Sequence, residues 1–183
     1  MDARPNPPFR TGDVLATVFT GTLTERLGET VEHIPTPSRL DAWFLENDLA
    51  VAPCTPDDLR VAVELREAIH RGMVADATEE CWPEEAVDVI NRCSAHGDAS
   101  AHLGMDGTRV WHWGGGGTAR DALSVVAADA IEVLSGHRGG RLALCASPTC
   151  REPFLDVSQN HTRKWCDMNY CGNRYKKARF RSK

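Results

Sequence analysis

Four cysteines near the C-terminus have the type and spacing to hold a metal ion. Cys145 and Cys150 form one C-x4-C pair and Cys166 and Cys171 a second, with fifteen residues between the pairs. Thiolates bind a soft divalent cation such as Zn²⁺ in a tetrahedron, and two short-spaced pairs supply four of them with little backbone strain. Two disulfides are the alternative chemistry, and the compartment decides between them. Met1 to Arg10 carries Asp2, three prolines and no apolar run of a secretory signal. The chain is therefore expected in a reducing cytoplasm, where paired cysteines serve as metal ligands more often than as bridges. The expected occupant is one structural Zn²⁺, with an iron centre less favoured on ligand chemistry. Four cysteines fill the coordination shell, which argues against an open catalytic zinc. His161 lies in the loop between the pairs and could replace a cysteine, but it reads more simply as a loop histidine. Cys54, Cys81 and Cys93 have no partner at ligand spacing and read as small buried hydrophobes.

The residues around the second pair carry most of the positive charge. From His161 onward there are eight Lys/Arg against one Asp, a local +7, which leaves −12 on residues 1–160 of the −5 total. Such asymmetry marks a polyanion-binding module on an acidic body. Asp167 is placed to cap a helix from about Met168 to Phe180, and on that helix Tyr170, Arg174, Lys177 and Arg181 follow steps of four, three and four, so they share one face. A helix held at its root by metal and basic along one side can lie against phosphates or enter a major groove. The bland alternative is a solvated tail whose charge only aids solubility.

The run from Cys166 to Arg174, preceded by Phe154-Leu155-Asp156 and Arg163-Lys164-Trp165, resembles the CGNR zinc finger, named for the tetrapeptide that stands here at Cys171 to Arg174. In that family the finger usually follows a domain called ABATE, and the pair is described as a candidate stress-induced transcription regulator. The resemblance implies Cys145, Cys150, Cys166 and Cys171 as zinc ligands, with Gly172, Asn173 and Arg174 beside the metal. The expected nucleic-acid contacts are Arg163, Lys164, Asn173, Arg174, Lys176, Lys177, Arg179 and Arg181. The implied partner is DNA, with RNA as the alternative: Tyr170, Tyr175 and Phe180 would then stack on unpaired bases.

The elements that must position this site follow from pattern. At 183 residues, with 42% hydrophobic and 26% charged, the composition is that of an ordinary globular protein. The front part is long enough to bury its own core, whereas the last 40 or so residues need the metal. The division expected is an ABATE-like helical domain over 1–138 and the finger over 139–183, joined at the glycine-rich Gly136 to Gly140. The fold class is α+β, a mainly α-helical N-terminal domain with a small β-hairpin and a treble-clef-like four-cysteine zinc finger ending in a basic helix.

Residues 1–11 are proline-rich and expected to be poorly ordered. Val14 to Phe19 fits a strand or a helix start equally. Ser38 is positioned to cap a short helix that turns Leu40, Trp43 and Phe44 inward. Thr55-Pro56-Asp57-Asp58 starts a long helix to about Ala75 or Ala77, burying Leu59, Ala62, Val63, Leu65, Ile69 and Met73. A third helix begins at Pro83, a hairpin turns at Asp106-Gly107 between Ala101–Met105 and Thr108–Trp113, and a fourth helix spans Thr118 to Leu134. The match to ABATE lies in this order of elements rather than in a motif.

Several function classes find no support. Neither G-x-S-x-G nor H-E-x-x-H occurs, and pairs such as Glu84-Glu85 read as a solvated helix face, so no catalytic residues are assigned and the chain is not expected to be an enzyme. Gly114 to Gly117 lacks the G-K-[ST] ending of a phosphate loop. No stretch approaches the roughly 20 apolar residues of a membrane span, and no repeat of 20 to 50 residues occurs. A pocket lined by Trp43, Trp111 and Trp113 would suit a small-molecule effector, although the sequence does not require one. One short reading helix contacts few bases, which favours a homodimer.

Overall fold

The computed structural model describes residues 7–181, apart from the side chains of Ala178, Arg179 and Arg181. The front domain runs α1 (Leu15–Thr20), β1 (Leu23–Thr24), β2 (Val31–Glu32), α2 (Pro37–Glu46), α3 (Pro56–Ala77), α4 (Glu84–Ala95), β3 (Ala99–Leu103), β4 (Arg109–Trp113) and α5 (Ala119–Leu134). Its centre is α5, on which Leu123, Val126, Ala127 and Ala130 are buried together with Ala62, Leu65 and Ile69 of α3. Alanines on both helices let them approach closely, because an Ala side chain adds little bulk and loses no rotamer freedom. Trp43 of α2 closes one end, its ring 4.9 Å from Phe19 and 5.7 Å from Phe44.

Capping chemistry sets the helix starts. Thr55 and Asp58 form a reciprocal capping box with Pro56 at the first helical position. Thr118 and Asp121 do the same for α5, and Asp121 also accepts from the Asp98 N–H at 2.8 Å, tying the β3 approach to that helix start. Burial opposes the Asp121 charge, but the N–H groups of Asp98 and Thr118 and the Thr118 hydroxyl outweigh it and hold the carboxyl below its ordinary value. Asp121→Ala is expected to cost about 1–2 kcal/mol, by analogy with loss of a helix cap. Chemical denaturation at pH 7 checks this.

Where the structure departs from the pattern, the reason is local. Leu15–Thr20 is helical with Val14 as its extended N-cap, and the Asp129 carboxylate of α5 accepts the Ala16 N–H at 2.8 Å and so caps α1 from another element. The cap of α2 is Thr36, not Ser38; Pro37 takes the first helical position and Ser38 the second. The β3–β4 turn is a three-residue loop closed by the Gly104 N–H on the Thr108 carbonyl at 2.7 Å, with Gly107 at φ +82°. That is the glycine-bulge form of a hairpin rather than a two-residue turn. Residues 7–11 are held in place, while the rest of the 1–11 expectation lies outside the described residues. Cys81 is exposed, and Cys54 and Cys93 are half-buried. Leu59 and Val63 are likewise only half-buried, whereas Arg66 on the same helix is buried.

Arg66 matters because it fixes the β1–β2 turn. Its guanidinium grips both Glu32 carboxylate oxygens at 2.8 and 2.9 Å and Glu67 at 2.9 Å, while Arg26 donates to Glu67 at 2.7 Å. Two arginines and two glutamates thus pair beneath the turn that carries residues 25–28, which keeps so much charge tolerable, while the buried Arg26 Nε is left without a hydrogen bond.

The C-terminal part forms β5 (Arg141–Leu144), β6 (Pro153–Asp156), a π-helical turn over Met168–Gly172 and α6 (Asn173–Arg181). β5 and β6 pair antiparallel, Arg141 opposite Asp156 and Leu144 opposite Pro153. No strand pattern had marked this hairpin. Leu142 and Leu155, opposite each other in it, join the core of the front domain, so the finger is docked rather than tethered. Gly140, at φ +85°, lets the chain enter β5 where a Cβ would lie 2.9 Å from the Asp156 carbonyl.

Candidate metal centre and basic helix

The β5–β6 hairpin presents Cys145 and Cys150 at its tip, and the π turn presents Cys171 opposite them, with Cys166 just ahead of it. Their four sulfurs all lie within 4.8 Å of one another, with Cys150 to Cys166 at 3.6 Å and Cys166 to Cys171 at 3.8 Å. Sulfurs placed about 2.3 Å from a central Zn²⁺ in a tetrahedron stand about 3.8 Å apart. The Cys150–Cys166 and Cys166–Cys171 separations match that value, so the cluster fits a four-thiolate metal shell of the zinc-finger kind. His161 stays outside the cluster, its Nδ1 facing the Asp156 carbonyl at 2.9 Å.

The N-terminal segment reaches over this cluster. Phe9 is buried beneath the Arg39 guanidinium, 4.0 Å from its ring, while Arg39 also donates to the Pro7 carbonyl at 2.9 Å. So anchored, the segment places Arg10 with one nitrogen 3.1 Å from the Cys166 sulfur and the other 3.9 Å from Cys150. A guanidinium there offsets part of the negative charge that four thiolates carry around one divalent ion. Burial opposes the Arg10 charge, and the sulfurs of Cys166 and Cys150 more than compensate, raising its pKa. The π turn begins at Asp167, whose side chain accepts from the N–H groups of Asn169 and Tyr170 at 2.7 and 3.0 Å. The cap foreseen at Asp167 is present, with a π turn before the α-helix proper.

Residues 13–137, more than half of the chain, match the family model ABATE, described as "Putative stress-induced transcription regulator". The chain belongs to the ABATE family. Residues 141–183 match the CGNR zinc finger. A comparison with curated proteins returned no match.

In the ABATE protein each letter of the CGNR tetrapeptide has a structural task. Cys171 supplies a sulfur to the cluster. At Gly172 an added Cβ would meet the Met168 sulfur at 2.5 Å. Asn173 donates to the Asn169 carbonyl at 3.1 Å, at the junction between the π turn and α6. Arg174 leaves the finger altogether: its guanidinium takes both carboxylate oxygens of Glu25 in the ABATE domain, at 2.8 and 2.5 Å. Glu25, at φ +54° and almost fully buried, also accepts from the Thr149 hydroxyl at 2.6 Å. Burial disfavours the Glu25 charge, yet hydrogen bonds from Arg174 and Thr149 hold its carboxyl below the ordinary range. The Leu27 N–H donates to the Thr149 carbonyl at 3.0 Å, so the turn over residues 25–28 clasps the first knuckle.

The candidate nucleic-acid residues therefore divide. Arg163 lies over the Phe154 ring and donates to the Trp165 and Cys166 carbonyls, so it staples the knuckle, and Asn173 and Arg174 are engaged as described. Lys164, Lys176 and Lys177 are exposed and form no ion pair among the described residues. The side chains of Arg179 and Arg181 lie outside the described residues. Tyr170 is exposed and flanked by Arg10 and Arg174, at 5.4 and 4.7 Å from its ring.

Sequence reasoning missed Arg10, Glu25 and Glu152. Arg10 and Cys166 are 156 positions apart, and no local pattern links them. Glu152 is buried with both oxygens free of hydrogen bonds, its Oε2 3.4 Å from the Arg26 Nε, and burial pushes its carboxyl up to about 7. The pocket foreseen among three tryptophans does not form, because Trp43 is sealed in the core while Trp111 and Trp113 stack at 6.2 Å on the hairpin. His112 stacks on His102 at 3.9 Å on the exposed hairpin face.

Proposed function

We propose that the protein is a zinc-dependent, DNA-binding transcriptional regulator rather than an enzyme. Cys145, Cys150, Cys166 and Cys171 hold one structural Zn²⁺, the finger over 139–183 contacts the duplex, and the ABATE-type domain over 1–138 senses a signal or mediates assembly. The observation that carries this reading is the convergence of four sulfurs within 4.8 Å of one another at the root of a helix whose outward lysines have no acidic partner among the described residues. Bound, the ion supplies a rigid anchor, and what the chain's own residues do is aim α6. Asp167 starts the turn, Arg174 fixes its azimuth through Glu25, and Lys164, Lys176 and Lys177 face outward for phosphate. No helix among the described residues is long and apolar enough to cross a membrane, and the reading places the protein in the cytoplasm.

Phosphate contact has a salt signature. Each neutralised phosphate steepens the fall of log affinity against log salt by about 0.9. A titration of duplex DNA across salt concentrations is expected to give a steep slope that Lys176→Ala and Lys177→Ala each lessen by about that amount; a flat dependence would remove the proposal. Exposed Phe180 and Tyr175 favour a second reading, stacking on unpaired RNA bases. Competition between duplex DNA and structured RNA decides between them.

A further inference from the structure

One cleft of the ABATE domain gathers three arginines. It lies between α3, α4 and α5, has a volume of about 300 Å³, and is lined by Arg60, Arg92, Arg120 and His96, with Glu64 as its acidic residue. Residues 1–160 together bear −12, and on this acidic body three guanidiniums converge against two carboxylates, Glu64 and Asp57, which leaves one positive charge over. Two of the three guanidiniums are already paired: Arg92 reaches one Glu64 oxygen at 2.7 Å, and Arg60 donates through Nε and Nη2 to the Asp57 carboxylate at 3.0 and 2.9 Å, with the other Glu64 oxygen at 3.6 Å. Arg120 forms no ion pair among the described residues. It also sits in the first turn of α5, the end of a helix where the backbone dipole repels a cation.

The floor differs from the rim. Leu123 is buried, and Val61 and Cys93 are half-buried, all three lining the same cleft. A cationic rim over an apolar floor, at the small end of the roughly 300–1,000 Å³ range of ligand clefts, is the arrangement that takes a charged head group and an apolar body together. With Arg60 on Asp57 and Arg92 on Glu64, Arg120 is the cation left without an ion pair among the described residues, and a concave site focuses its field onto an anion. Guanidinium forks match the two oxygens of a carboxylate or a phosphate.

We propose that this cleft binds a small organic anion, a carboxylate or phosphate ester whose head group is held by Arg120 beside the Glu64-bridged arginines and whose apolar part lies on Leu123, Val61 and Cys93. The site is separate from the metal centre. From Glu64 to Ala77, where α3 borders the finger hairpin, the helix runs for roughly 20 Å. The inference goes beyond the DNA-binding reading, and its test uses no nucleic acid.

Full-length protein is titrated calorimetrically with phenyl phosphate, benzoate and benzylamine, and the rate of Cys93 alkylation is followed by mass spectrometry with and without each compound. Exposed Cys81 is the internal reference. At least one of the two anions is expected to bind and to slow labelling of Cys93 but not of Cys81, and the two arms show which head group is preferred. Benzylamine is expected to do neither. Arg120→Gln should weaken the anion about tenfold or more, as removal of one charged hydrogen-bond donor does. Glu64→Gln should tighten it, because the competing carboxylate is gone. Both side chains reach solvent, and thermal melts confirm that the variants fold. Absence of binding by both anions, equal binding of benzylamine, or unchanged affinity in Arg120→Gln would overturn the assignment.

Discussion

Stripping the metal from the full-length protein with a chelator is expected to unfold the knuckle and α6, abolish duplex binding and leave the ABATE helices standing. A structural zinc contributes on the order of 10 kcal/mol to the fold of a finger, far more than a short hairpin and a nine-residue helix supply for themselves. Elemental analysis should find one zinc per chain. Thiol counting should rise by four on removal, and Cys166→Ser should reproduce the loss, weakening DNA by about 100-fold or more if helix and metal are coupled as proposed. The ABATE domain should soften as well. Leu142 and Leu155 of the finger sit in its core, and each fully buried leucine contributes about 1.5–3 kcal/mol, so the melting temperature of the α-helical signal should fall by several degrees. A stripped protein that binds DNA as well as the loaded one would sink the zinc-dependent reading.

Glu25→Gln should destabilise the docked finger by about 2 kcal/mol. Removing one partner of a buried pair costs about 3–5 kcal/mol, and the value is discounted because the Arg174 side chain is 45% exposed while that of Glu25 is 7% exposed. The glutamine keeps the shape and loses the charge, so the effect isolates the ion pair. Arg174→Met in the same background should add little, since the two act as one unit; a double-mutant cycle measures the coupling. The pH dependence has a defined sign. The Glu25 carboxyl is held below its ordinary value in the folded chain. Its contribution is therefore full above the unfolded value near about 4.3 and is lost as pH falls through the folded value. The gap in stability between wild type and Glu25→Gln should be widest near neutrality and close on acidification. A gap that widened in acid would mean that Glu25 does not hold Arg174 as a carboxylate.

Whether the signature arginine touches DNA is thus a question that position in the motif does not answer. On a helical wheel Arg174 shares a face with Lys177 and Arg181, and a phosphate contact is the natural expectation. The structure gives its guanidinium to Glu25, from the opposite end of the chain. The lysines that remain outward are the ones on which the salt slope should depend.

Local chemistry made much of the protein legible before folding was considered. The two C-x4-C pairs announce a metal site because ligand spacing within a knuckle is a short-range property. Thr55-Pro56 and Thr118 announce helix starts because a cap and its N–H partners lie within one turn. Leu40, Trp43 and Phe44, or the stripe of α5, announce a core because apolar period is written along a single helix. Everything decided between elements stayed hidden. Leu15–Thr20 is capped as a helix by the Asp129 carboxylate of α5, Arg10 found two sulfurs across the whole chain, and Glu25 found Arg174. Hydrogen bonds and ion pairs of this kind depend on which surfaces meet, and long side chains leave no periodic trace of the partner they will reach. That four thiols would gather at the root of a basic helix follows from short-range spacing, whereas the grip of the acidic domain on that helix, through Arg174 and Glu25, exists only because two distant surfaces meet.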